Sequence, residues 1–263
     1  MKIQEITEYI EKLAPLEYAE GFDNVGLLVG NYDTEVTGVL VTLDTLEDTI
    51  NEAIEKDCNL IVSFHPIIFS GLKKINGNSY VERVVLKAIK NDIAIYATHT
   101  ALDNVQQGVS GKICEMLHLQ NSKTLIPKTT IVSQETIGMG MLGELPHEMT
   151  EKEFLQFVKS KMNTDCIRHS ELMGSAIKRV AVLGGSGSFA IEKAIDLKAD
   201  AYISADFKYH DFFKAEKKIL LADIGHYESE QFTKNLLVEY LTKKFTNFAV
   251  ILSEKSTNPI YYI

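Results

Sequence analysis

The feature that most constrains this chain is a repeat. Residues 39–65, VLVTLDTLEDTINEAIEKDCNLIVSFH, align without a gap to residues 180–206, VAVLGGSGSFAIEKAIDLKADAYISAD, at a constant offset of 141. Val39 falls on Val180, Val41 on Val182, Ile61 on Tyr202, Ser63 on Ser204 and His65 on Asp206. Each copy reads as an apolar strand, a helix and a second apolar strand. Such a unit prefers a right-handed crossover, which lays its two strands parallel. A further helix and strand follow each copy: VERVVLKAIKND with IAIYATH in the first case, YHDFFKAEKK with ILLADIGH in the second. The pattern predicts an α/β fold of two pseudo-repeated halves. The expected boundaries are 1–127 and 138–263, with a short join at 128–137 marked by Pro127 and by the glycines Gly138, Gly140 and Gly143. Just past the join, Thr150 followed by Glu153 has the spacing of a helix capping box.

In open α/β sheets, ligands gather beyond the carboxyl ends of the strands. Here those ends deliver His65, then His99 and Asp103, then Asp206 with Lys208 and His210, and finally His226 and Glu230. The stretch LLADIGHYESEQF is the most telling. An apolar run ends at Asp223, and helical periodicity from 227 to 245 then puts His226 and Glu230 on one face of a first turn. An imidazole and a carboxylate at that spacing make either a helix-start ion pair or half of a divalent-metal site. With His65 and Asp103 expected at the same sheet edge, the metal site is the better reading. Its ion would be Zn, Mn or Fe. His99 and His210 are candidate general acids or bases, or partners that orient the ligands. Lys208, Asp206 and Asn24, the last in the loop GFDNVGLLVG, are candidate substrate contacts. The glycine turn LGGSGSF offers backbone amides for a phosphate, yet a tight turn before a helix explains it equally well. His118, His147 and His169 lie away from strand ends and read as ordinary residues.

Composition narrows the partners. A net charge of −9 argues against non-specific nucleic-acid binding and against anionic membrane surfaces, both of which select cationic proteins. Three scattered cysteines, Cys58, Cys114 and Cys166, form no CxxC pair and predict reduced thiols rather than a disulfide framework. The N-terminal segment is an amphipathic helix, no apolar run approaches the roughly 18 residues of a membrane span, and the cytoplasm is the expected location.

Five motifs in order, GFDNVGLLVG, SFHPIIFSG, THTALDN, ADFKYHDF and DIGHYESEQF, resemble those of the NIF-three-like proteins, often named GTP cyclohydrolase 1 type 2 homologs. The resemblance spans nearly the whole chain. It implies two α/β halves facing each other across a metal-binding cleft, and a ring-shaped homohexamer built as a trimer of dimers. It also implies His65, Asp103, His226 and Glu230 as metal ligands, with Glu230 bridging. Two departures stand out. Many members have a second histidine where this chain has Phe64, which removes a ligand from one of two metals. Many also carry a domain inserted between the halves, for which the short join leaves no room. The implied activity is metal-dependent hydrolysis of a small nucleotide-like substrate. The alternative is a non-catalytic metal-binding ring or scaffold.

Overall fold

A computed structural model describes residues 1–128 and 136–263. They fall into two compact units, Met1–Leu102 with Thr233–Pro259, and Asp103–Phe232 with Ile260–Ile263. Along the first unit run α1 (Ile3–Leu13), β1 (Gly26–Val29), β2 (Val39–Thr42), α2 (Glu47–Glu55), β3 (Leu60–Ser63), α3 (Tyr80–Lys90) and β4 (Ala94–Ala97). The short helix α4 (His99–Asp103) then leads the chain out. The second unit comprises α5 (Val109–Met116), β5 (Gln120–Lys128), β6 (Ile137–Thr150), α6 (Glu151–Lys161), β7 (Arg168–His169), β8 (Ala176–Ser186), α7 (Ile191–Asp196), β9 (Ala201–Ala205), β10 (Leu220–Asp223) and α8 (His226–Glu230). Finally α9 (Thr233–Lys244) and β11 (Val250–Leu252) bring the chain back to the first unit.

The first sheet has the order β1-β4-β3-β2-β11, with β1 antiparallel at one edge and the rest parallel. The second has the order β5-β6-β8-β9-β10-β7, with a parallel centre, β8-β9-β10, and antiparallel flanks. The repeat is preserved in the hydrogen-bond register. Val39 pairs with Leu60 and Val180 with Ala201, so the offset of the sequence alignment holds on both strands of the pair.

Fully buried, near-continuous apolar strands are what a parallel sheet covered on both faces requires. In the second unit, Val180, Val182 and Ile203 enter one core with Phe154 and Leu220, while Ala181, Leu183 and Tyr202 enter another with Ile191 and Leu221. The period of two along each strand sorts them. In the first unit, Leu40, Ile61 and Ile95 pack with Ile50 and Ala53 of α2 and with Val84 and Val85 of α3. Each such side chain contributes on the order of 1.5–3 kcal/mol by leaving water. The capping box forms at α6: Glu153 N donates to Thr150 Oγ1 at 3.3 Å, and Thr150 N donates back to Glu153 Oε2 at 2.9 Å.

Three features differ from the sequence-based expectation. The units are not the segments 1–127 and 138–263: β5 lies in the second sheet, and β11 pairs with β2 in the first. The expected join at 128–137 lies mostly outside the described residues, but its flanks Lys128 and Ile137 pair in one antiparallel ladder. Both described flanks belong to the second unit. The helix expected over 227–245 is broken after Glu230, because its apolar stripe serves two cores: Phe232 packs in the second unit, and Leu237 and Leu241 are buried on α9. The YHDF segment forms a 3-10 helix, Tyr209–Ala215. Among the described residues no helix is long and apolar enough to cross a membrane. Cys58, Cys114 and Cys166 are free thiols, the first two buried.

Candidate metal centre

In the second unit the site starts from Gly225. Its positive φ of +91° turns the chain out of β10, and Gly225 N donates to Asp223 Oδ1 at 3.1 Å. The next residue, His226, opens α8. Its Nδ1 lies 2.7 Å from Asp206 Oδ2 and its Nε2 3.2 Å from Glu230 Oε2. Asp206 follows β9 in a left-handed conformation (φ +59°), and Ser186 Oγ donates to the same carboxylate. Glu230 is 4% exposed, so the far side of the pair is closed to water.

The glycine turn seats that carboxylate. A Cβ on Gly185, which has φ +68°, would come within 2.4 Å of Glu230 Oε1. The turn's polar groups are spent internally: Gly185 N donates to Ser229 Oγ at 2.8 Å, Ser204 Oγ donates to Gly185 O at 3.0 Å, and Tyr202 OH donates to Gly187 O at 2.9 Å. The LGGSGSF motif is thus accounted for as the floor under α8.

The electrostatics follow from two carboxylates on one imidazole. Burial lowers the affinity of His226 for a proton, but the hydrogen bonds and charges of Asp206 and Glu230 outweigh it and push the imidazole up to about 11. Hydrogen bonding by His226, helped by Ser186, holds the Asp206 carboxyl down at about 2 against its own burial. Positive charge is therefore demanded at Nε2, and a divalent metal ion satisfies the same demand in place of the proton. A carboxylate on Nδ1 with Nε2 left to ligate is the usual build of a metal-binding histidine. His226 and Glu230 are a His/Glu pair of the kind that holds a metal ion, so the residues fit one.

The first unit repeats the device. His65, just beyond β3, places Nδ1 2.8 Å from Asp44 Oδ1, and His99, at the start of α4 with φ +28°, places Nδ1 2.7 Å from Asp23 Oδ1. Burial works against the Asp23 charge, but His99, Thr100 and the Asn24 amide overcome it and bring the carboxyl down to about 2. Phe64 is fully buried, with its ring 4.8 Å from that of His65 and 5.6 Å from that of His99. The aromatic ring thus occupies packing space and brings no ligand.

The remaining candidates fare unevenly. Asp103 ends α4, half-buried. Asp206 is engaged with His226 and Ser186 rather than held out as a substrate contact. Asn24 is a structural tie, its Nδ2 donating to Ile68 O at 2.5 Å. Lys208 and His210 are exposed; the Lys208 amide donates to Asp211 Oδ2 at 3.0 Å, and the His210 ring packs 5.2 Å from Tyr209. His118, His147 and His169 are exposed. Sequence reasoning missed Asp44, and read Asp23 with Asn24 only as part of a loop that either reaches the site or makes turns. The signal for Asp44 was available, since it follows the end of β2 just as the other site residues follow theirs. Asp23 lies in an irregular loop with no strand to announce it.

Comparison with known proteins places this chain in a lineage. The profile of the Duf34/NIF3 (NGG1p interacting factor 3) family matches residues 1–259. A Clostridium perfringens protein named GTP cyclohydrolase 1 type 2 homolog is 33% identical, with all of both chains aligned. Among solved structures, a Bacillus cereus protein related to NIF3 superposes with a TM-score of 0.93 at 25% identity, covering 100% of this chain and 99% of that one. A Staphylococcus aureus hypothetical protein gives a TM-score of 0.93 at 32% identity with the same coverage. Family match, full-length relatives and fold agree: the chain belongs to the Duf34/NIF3 family.

Proposed function

We propose that this protein is a metal-dependent hydrolase acting on a small nucleotide-like substrate. In this reading His65, Asp103, His226 and Glu230 hold one or two divalent ions, Zn, Mn or Fe. The observation that carries it is the His226–Glu230 pair, 3.2 Å apart, with Asp206 fixing the opposite ring nitrogen. The matching Asp44–His65 pair supports a ligand role for His65. A bound divalent ion supplies Lewis acidity, activating water and polarising the electrophile. The chain's own part is to hold the imidazoles in one orientation, to keep the Glu230 carboxylate out of bulk water, and to accept or return a proton at His99, whose ring Asp23 orients. His210 is the second candidate for that proton. Lys208 remains a proposed substrate contact, for an anionic group, while Asp206 orients His226 and Asn24 ties the loop that bears Asp23. The name GTP cyclohydrolase 1 type 2 homolog, borne by the clostridial relative, suggests a purine nucleotide as substrate. The same reading includes a homohexameric ring.

Elemental mass spectrometry of metal per chain, native mass and turnover over a nucleotide panel test this together. The expected result is at least one metal per chain in the wild type, with metal-dependent turnover lost in Glu230→Gln. A gain of metal in Phe64→His would place the missing ligand at Phe64. A wild type that holds no metal after reconstitution sinks the reading. Metal retained without any turnover turns it toward the non-catalytic ring or scaffold.

A further inference from the structure

Two phenylalanines of the first unit stand in water beside the histidine pair: Phe22 is 68% and Phe69 50% exposed. Their ring centroids are 6.3 Å apart, and Phe69 meets the His99 ring edge-on at 6.1 Å. His99 in turn packs at 5.4 Å against His65. The rings form a series that starts on the fully buried Phe64 and ends in solvent at Phe22.

The frame under the exposed rings is tied at each joint. Asn24 Nδ2 donates to Ile68 O at 2.5 Å, which joins the Phe22 loop to the Phe69 loop. Asp23 joins the Phe22 loop to α4: it accepts the Thr100 amide at 3.0 Å and the Thr100 hydroxyl, and its other oxygen lies 2.7 Å from His99 Nδ1. Both rings are therefore held on a braced scaffold rather than on free loop tips. Open space lies beside Gly21 and Gly71, where an added Cβ would meet nothing within 4 Å. Two rings are also far short of the roughly 800 Å² per partner that a stable protein interface uses.

We propose that Phe22 and Phe69, whose rings are inclined at 52°, form an aromatic platform for a planar heteroaromatic ring of the nucleobase class, one phenyl stacking on its face and the other meeting its edge, beside His99. The platform rests on the nucleotide-like substrate reading and supplies its recognition element. Stacking suits a base because every base offers a π face, and Phe69 continues directly into the imidazoles whose Nδ1 atoms are held by carboxylates.

The test is calorimetric titration of the metal-loaded protein with guanosine and GTP, alongside metal content and native mass. The variants are Phe22→Leu and Phe69→Leu, which keep apolar bulk without a π face, and Phe22→Tyr and Phe69→Tyr, which keep the ring. The expected result is a Kd for guanosine raised about tenfold in each leucine variant and restored in the tyrosine variants, with metal per chain and native mass unchanged. Guanosine affinity unaltered in both leucine variants overturns the platform and leaves the nucleotide reading standing. A fall in native mass with unaltered affinity also overturns it, assigning the rings to contact with a second copy. No binding of either probe by the metal-loaded wild type overturns platform and nucleotide reading together, while the metal content still judges the metal site separately.

Discussion

At the scale of single residues, Gly185 and Asp23 make the sharpest predictions. Gly185 has φ +68° and lies against Glu230 Oε1, so Gly185→Ala meets backbone strain and a clash at once. The expected loss of stability is about 1–2 kcal/mol from the left-handed backbone alone, read by thermal unfolding, with reduced metal retention as Glu230 is displaced. Asp23 titrates from 3.8 down to about 2 in the folded state. A depressed carboxyl contributes stability that is fully present above its unfolded pKa and is lost as pH falls through the folded one. Denaturant unfolding between about pH 5 and about pH 2 should show a loss of about 2 kcal/mol in the wild type that Asp23→Asn lacks. An identical pH dependence in both proteins would show that the charge of Asp23 is not what braces the His99 loop.

At the scale of elements, the return of β11 to the first sheet is secured through α2. Glu52, buried on that helix, accepts Ser253 Oγ at 2.6 Å and Glu254 N at 2.9 Å, and pairs with Lys56 at 3.0 Å. Removing the carboxylate strands a buried hydroxyl and a part-buried amide. Glu52→Ala should therefore cost about 2–4 kcal/mol in urea unfolding, and Ser253→Ala nearer 1 kcal/mol. Near-equal costs would mean that the serine bond alone holds the segment. The capping box of α6 was legible from Thr150 and Glu153, since it is made within one turn. The break between α8 and α9 was not, because the apolar period runs across it and only the division of Phe232 from Leu237 and Leu241 between two cores reveals it.

At the scale of the whole molecule, the chain enters the second unit after Leu102, leaves it after Phe232 and returns to it at Ile260. Each unit has its own sheet and core. Ile251, on β11, packs with the first unit's core. Ile251→Asp should cost about 2 kcal/mol and speed amide exchange in β2, β3 and β4, while β8, β9 and β10 keep their protection. Equal loss of protection in both sheets would show that the units unfold as one. The Bacillus cereus protein related to NIF3 superposes over the full length of this chain, so the two share the fold.

The sequence by itself determined the α/β class, the parallel strand–helix–strand units and even the register that relates them, since these follow from local periodicity repeated at one offset. It also marked the polar residues beyond the strands, because a strand end is visible wherever an apolar run stops. Only the tertiary structure decided which carboxylate orients which histidine. Those pairs, Asp44 with His65, Asp206 with His226 and Asp23 with His99, are 21, 20 and 76 residues apart. Strand order and loop path bring them together, and neither is written in any local period. The placement of β11 beside β2 has the same origin: a three-residue strand carries too little pattern to choose a partner, and packing of its partly buried side chains against α9 and the core that includes α2 chooses it instead.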